Sequence, residues 1–242
     1  MKLSARTLLL GVLVAGATVT CVRLGFWQLA RMRYKHTLHA AQRALLARPP
    51  LELKLGLPGT PPETGSRVRV RGLWDLSTHV LLSGRTHLGA AGVSLVSAVR
   101  LESGEQVLVE RGWLPTADAR TAHPELFPDS LADETGVVLP LERPAHPTPW
   151  AMLPSERPGV RVWSARVLDP DSAAARFGGT LAPWFVRVLP GSAQSTSAPI
   201  PEDYVVPDES MHLSYAIQWF GFAAIIGMGS LALALRSRPV KG

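Results

Sequence analysis

His212-Leu213-Ser214-Tyr215-Ala216-Ile217-Gln218-Trp219-Phe220-Gly221-Phe222-Ala223-Ala224-Ile225-Ile226-Gly227-Met228-Gly229-Ser230-Leu231-Ala232-Leu233-Ala234-Leu235 runs for 24 residues without a formal charge. As a helix rising about 1.5 Å per residue it reaches about 36 Å, enough to cross a hydrocarbon layer of about 30 Å with some tilt. Glu202, Asp203, Asp208 and Glu209 precede it, and Arg236, Arg238 and Lys241 follow it. Basic residues collect on the cytoplasmic side, so this asymmetry predicts a transmembrane helix at 211–235 and a cytoplasmic tail at 236–242.

A second apolar stretch lies near the other end. Thr7 to Leu29 spans 23 residues interrupted by Arg23, whose long stem can reach the headgroups. A cleaved signal peptide is the competing reading, because Met1-Lys2-Leu3-Ser4-Ala5-Arg6 is a plausible basic start. The stretch is long for that role, and Thr18-Val19-Thr20 before Cys21 makes a poor cleavage or lipoprotein site. The reading adopted is an uncleaved helix at 1–30. Lys2 and Arg6 oppose Arg31, Arg33 and Lys35 across it, so its own orientation signal is mixed. Two spans put both termini on one face, and the second helix decides which. The intervening domain then lies outside the cytoplasm, which in the inner membrane of a bacterium with two membranes means the periplasm.

Composition narrows the chemistry. The 242 residues carry a formal charge of +6, and 21 of the 25 cationic residues are Arg, scattered singly rather than clustered. Arg67-Val68-Arg69-Val70-Arg71 reads as one solvated strand face, and no nucleic-acid partner is expected. The absence of Asn and the abundance of Ala, Arg, Gly, Leu and Pro fit GC-rich coding and a bacterial source. The single cysteine, Cys21, excludes an intrachain disulfide, a cysteine-based structural zinc site and a C-x-x-C-H heme attachment.

Between the helices, Arg31 to Ala47 keeps a helical pattern that stops at Pro49-Pro50, predicting a juxtamembrane helix over 31–48. Candidate strands follow at Arg67–Trp74, Thr78–Arg85, Gly92–Leu101, Gln106–Trp113, Gly136–Glu142, Val160–Val167 and Trp184–Leu189, with an irregular excursion over Thr116–Thr135. Asp169-Pro170 starts a short helix through Phe177, with Asp as N-cap, and Gly178-Gly179 ends it. The expected fold is an α+β domain over 66–190 with a mainly antiparallel sheet or partly closed barrel, flanked by two transmembrane helices. A Ser/Ala/Pro-rich linker over 191–210 leads back to the bilayer.

No G-x-S-x-G, H-E-x-x-H, P-loop or dinucleotide fingerprint is present, so no catalytic residue is nominated. His79 and His87 would face each other only across a hairpin; His123 and His146 sit in Pro-flanked contexts; His36 and His39 lie on the juxtamembrane helix. His212 stands apart as an ionisable residue at the outer end of a span. Tyr215, Ala216, Trp219, Phe222 and Ala223 follow it at helical spacing, which suits a flat apolar ligand with neutral imidazole as an iron ligand. The competing reading is an interfacial histidine at the helix start within an ordinary aromatic belt. Gln28 and Gln218, each beside a Trp, offer an amide pair able to join the two helices.

These residues carry a family likeness. Leu24-Gly25-Phe26-Trp27-Gln28-Leu29-Ala30-Arg31, with Lys35 beyond, resembles the G-x-W-Q-x-x-R…K signature of the Surfeit-locus family of cytochrome c oxidase assembly factors. Val109-Glu110-Arg111-Gly112-Trp113-Leu114-Pro115 resembles its V-x-R-G-W-x-P segment, Gly84-Arg85 with Gly89 and Gly92 fits it, and His212-Leu213-Ser214-Tyr215-Ala216-Ile217-Gln218-Trp219-Phe220 is similar to its H-L-x-Y-A-x-x-W-F signature. The likeness spans nearly the whole chain in order. It implies a non-catalytic assembly factor that receives heme a from its synthesis enzymes and promotes insertion into the oxidase catalytic subunit. It also implies His212 as the heme-iron ligand; the reading adopted adds Tyr215, Gln218, Trp219, Trp27 and Gln28 as the lining of that site. A scaffold that stabilises oxidase subunits without heme is the alternative. The chain departs from the family at Ser210-Met211, where Asn is usual before the histidine, and at Ser97-Ala98-Val99, where a Pro is usual near an expected strand end.

Overall fold

The computed structural model describes residues 5–116, 118–127, 130–146, 149–191, 199–205 and 210–236. It contains two compact units. The first comprises α1 (Ala5–Ala47) up to Arg43 together with α3 (Ser210–Arg236). Both helices are long and apolar enough to cross a membrane, over Leu8–Ala47 and Met211–Leu233. No break separates the expected 1–30 and 31–48 helices, because Arg31 to Ala47 supplies good helix formers and the first prolines come at Pro49-Pro50. Residues 1–4 and the tail beyond Arg236 lie outside the described residues, as do 192–198 and 206–209 of the expected linker.

The second unit runs from Ala44 to Val205 and takes in segments on either side of the expected 66–190 domain. Its strands are β1 (Leu51–Leu53), β2 (Arg67–His87), β3 (Ala90–Arg100), β4 (Gln106–Pro115), β5 (Leu131–Pro140), β6 (Ala151–Leu153), β7 (Arg161–Ala165) and β8 (Leu181–Val188), with α2 (Pro170–Phe177) before the last. Around the ring β3 follows β2, then β4, β8 and β5, and β5 returns to β2. Most pairings are antiparallel, while β4–β8, β2–β7 and β1–β2 are parallel. The expected mainly antiparallel sheet is present, and its barrel closes through β2.

Strand β2 achieves this by changing partners along its length. Arg67 to Leu73 pairs with β5, while Thr78 to Leu82 pairs with β7 on the same side of the ladder. On its other side β1 and then β3 follow one another. The change falls where Asp75 and His79 oppose the adjacent residues Ala98 and Ser97, leaving Leu76-Ser77-Thr78 unmatched by β3. The Asp75 side chain accepts from the Ser77 N–H at 2.9 Å and from its hydroxyl at 2.6 Å, which stabilises the turn. Asp75-Leu76-Ser77 therefore does not end a strand, and the two strands expected at Arg67–Trp74 and Thr78–Arg85 are one.

Alternation fills both faces. Val68, Val70, Val107, Val109, Val138, Trp184, Val186 and Val188 form the core enclosed by the ring. The intervening Leu108 and Phe185 point the other way, under Phe177 and Ala173 of α2 and beside Trp150 and Leu168. Helix α2 is built as its sequence dictates: Asp169 accepts from the Ser172 N–H at 2.7 Å, and Gly178 ends it at φ +66°. The Arg67-Arg69-Arg71 face is neutralised across strands. Arg69 makes a two-pronged contact with Asp133 at 2.6 and 2.8 Å, and Arg71 adds Asp133 and Glu52. The Arg69 guanidinium holds the Asp133 carboxyl below the usual carboxylate range.

The Val109-Glu110-Arg111-Gly112-Trp113 segment acquires a structural meaning here. Leu95 pairs with Gly112 and the next residue, Val96, with Glu110, so Arg111 is the extra residue of a bulge. Gly112 has φ +146°, and a Cβ there would lie 2.5 Å from the backbone of Ile200, which pairs with Trp113 through hydrogen bonds of 2.7 and 2.8 Å. Gly112→Ala is expected to cost about 2–3 kcal/mol through backbone strain and loss of the Ile200 bridge. Urea unfolding of the detergent-solubilised protein checks this against Gly59→Ala, where nothing lies within 4 Å and the change should be small.

Candidate functional site

Helices α1 and α3 run antiparallel, because Gln28 meets His212 near one end and Thr18 approaches Gly227 nearer the other. A seam of small residues lets them approach. Gly25 and Cys21 on α1, and Ala216 and Ala223 on α3, are buried, with Ala216 only 1% exposed. A Cβ on Gly25 would lie 2.6 Å from the Phe220 ring, and the neighbouring Phe26 meets that ring edge-on at 5.3 Å.

His212 sits above this seam. Its Nδ1 lies 2.9 Å from Gln28 Oε1. With the amide oxygen toward the ring, Nδ1 donates, so the neutral imidazole keeps its lone pair on Nε2. A carbonyl oxygen fixing one ring nitrogen while the other stays available is the arrangement metal-ligating histidines use to set tautomer and ring orientation.

Helix phase explains where the remaining predicted residues fall. At about 100° per residue, Ala216, Trp219 and Ala223 lie within about 40° of His212, whereas Gln218 is about 120° away. Gln218 is accordingly exposed, and the amide of Gln28 pairs with His212 rather than with Gln218. Tyr215 is 45% exposed on the flank of the seam, and Trp219 is half-buried with its ring edge-on to Phe222 at 6.0 Å. Trp27 is 58% exposed and sits about 200° around α1 from Gly25. The helix pair thus brings His212 and Gln28 together beside Ala216, Tyr215 and Trp219, and turns Trp27 and Gln218 outward.

The second unit holds buried polar groups of its own. His79 is 1% exposed and hydrogen-bonded through Nδ1 to the Ser97 hydroxyl at 2.8 Å. Burial, reinforced by the nearby Arg111 guanidinium, lowers its pKa to about 4. Arg111 is itself 1% exposed and lies over the Trp74 ring at 4.5 Å. Its neighbour Glu110 accepts from Arg187 Nε at 2.8 Å. His87 stacks near Trp113, with centroids 5.2 Å apart. His79 and His87 occupy one strand eight residues apart, about 26 Å along it, so no hairpin brings them together. Ser97 lies within β3 rather than at a strand end, so this departure from the family pattern supplies the partner of a buried histidine.

An integral pair of membrane-length helices, joined at one end by a His–Gln bond and continuous in sequence with a ring-closed β domain, defines a membrane-anchored protein of two units. The chain belongs to the SURF1 family, whose sequence profile matches residues 15–224 and so includes both Gln28 and His212. It is similar to the SURF1-like protein of Rickettsia felis, 25% identical over 207 residues that cover 84% of this chain and 86% of that one. The SURF1-like protein of Rickettsia bellii is 24% identical over 210 residues, covering 85% and 83% respectively.

The buried His79 gives a pH dependence with a definite sign. The folded state keeps the ring neutral down to about pH 4, while the unfolded chain protonates near its ordinary value of 6.5. Stability present above about pH 6.5 is therefore lost as pH falls toward 4, by about 3 kcal/mol in total. Denaturant titrations between pH 7 and 4 should show this slope, and His79→Gln should flatten it.

Proposed function

We propose that this protein is a non-catalytic assembly factor for a heme-copper cytochrome oxidase, and that it holds heme a transiently on its way to the catalytic subunit. The observation that carries this reading is the His212–Gln28 pair, which leaves Nε2 of an oriented imidazole free at one end of an apolar helix seam. His212 would present that lone pair to the iron, heme a supplying the electrophilic metal and a flat apolar ring as cargo. Gln28 fixes the imidazole tautomer, and Tyr215 and Trp219 offer aromatic surface on the same side of α3. Trp27 and Gln218 face outward toward the bilayer boundary or a partner protein.

The family membership supports the oxidase context, and a half-buried imidazole beside an apolar helix seam fits cargo holding better than turnover. The charge asymmetry around α3 supports an inner-membrane topology with both termini cytoplasmic and the β domain periplasmic, where it would dock on an oxidase subunit. Heme a synthesis enzymes are the expected donors and the oxidase catalytic subunit the acceptor.

The protein purified after coexpression with heme a synthesis enzymes is expected to carry a heme a absorbance band. His212→Ala should abolish it, and Gln28→Leu should weaken heme affinity about 10–100-fold through loss of ring orientation. Stoichiometric heme in the His212→Ala protein would remove the ligand assignment. Copurification of oxidase subunits with no heme band in the wild type would favour the scaffold reading.

A further inference from the structure

The loop from β4 to β5 carries His123 and Glu125, the latter inside the single turn Pro124–Leu126, and the loop from β6 to β7 carries Glu156. One ligand atom from each of the three lies within 4.8 Å of the other two. His123 Nδ1 is 3.4 Å from Glu125 Oε1 and 4.0 Å from Glu156 Oε1. The Glu156 backbone N–H also donates to Glu125 Oε1 at 3.4 Å, so the two loops already meet at this carboxylate.

Glu125 is the unusual member. Its side chain is only 7% exposed, and its second oxygen, Oε2, is buried with no hydrogen-bond partner among the described residues. Burial opposes ionisation, yet bonds from its own backbone N–H, the His123 ring and the Glu156 N–H outweigh that and hold the carboxyl below the usual carboxylate range. A covered anionic oxygen with no donor is costly unless a cation satisfies it. His123 and Glu156, with side chains 39% and 79% exposed, leave that cation a route from solvent.

We propose that His123, Glu125 and Glu156 form a binding site for a divalent transition-metal ion, Zn2+ or an ion of similar preference, which clips the β4–β5 loop to the β6–β7 loop. Two carboxylates balance the charge of the ion, and the imidazole selects zinc-like metals over Mg2+ and Ca2+. Bonds of about 2.0–2.2 Å in tetrahedral geometry put ligand atoms about 3.4 Å apart. The His123–Glu125 separation already meets this spacing, and the exposed Glu156 side chain needs only a small adjustment. Three protein ligands leave a coordination position for water.

The test is a titration of the full-length, metal-stripped protein in detergent with Co2+, read by its visible d–d absorbance, followed by displacement with Zn2+. One Co2+ per chain is expected, with Zn2+ displacing it and raising the unfolding temperature of the β domain. His123→Ala and Glu125→Gln should abolish the band, and Glu156→Gln should weaken binding about tenfold or more. Glu156 is exposed, so its variant reports on binding even if a substitution at Glu125 fails to fold. His212→Ala should leave the band intact, which separates this site from the heme reading. Absence of stoichiometric Co2+ binding, or retention of the full band in both His123→Ala and Glu156→Gln, would overturn the proposal.

Discussion

The β domain depends on one strand satisfying four neighbours. β2 is too long to lie beside a single partner in a closed ring, because strands that tilt and twist around a barrel run off its edge. The Asp75-Leu76-Ser77 irregularity resolves the conflict by letting β2 leave β5 and take up β7 while β3 stays on the opposite side. The ring then encloses Val68, Val70, Val107 and Val186, and the departing half of β2 carries His79 and the branch that ends in β6. The β4 bulge at Arg111-Gly112 is the second device of this kind. It makes room for two consecutive charged residues inside the protein, Glu110 paired with Arg187 and Arg111 over Trp74.

Much of this was legible in the sequence, for identifiable reasons. More than twenty consecutive mostly apolar residues have few soluble alternatives, so both long helices stand out. Asp169-Pro170 and Gly178 mark α2 because caps are local chemistry. The strands of β3, β4 and β8 follow from their Val- and Leu-rich runs. β1 and β6 have three residues each, too few for any periodic signal. Asp75-Leu76-Ser77 hides the continuity of β2, because a side chain closing a small turn inside a strand has the same composition as a turn that ends one.

The candidate sites were legible only in part. The position of His212 at a helix end, and the presence of a glutamine beside a tryptophan on each helix, can be read directly. Which polar groups meet cannot, since that depends on the relative rotation of two helices. Gln28 meets His212 because both lie over the small-residue seam, whereas Gln218 is turned about 120° aside. The same limit applies to His79, whose burial depends on β3 delivering Ser97. It applies again to Glu125, whose neighbour Glu156 lies 31 residues away on another loop.

The hydrogen bond between Gln28 and His212 joins residues 184 positions apart. A chain emerging from the ribosome presents the glutamine first and the histidine only after the whole β domain has been made. A polypeptide stopped anywhere from residue 28 to residue 211 has the acceptor without its donor. The contact therefore forms only after the β domain between its two halves has been made and α3 has met α1.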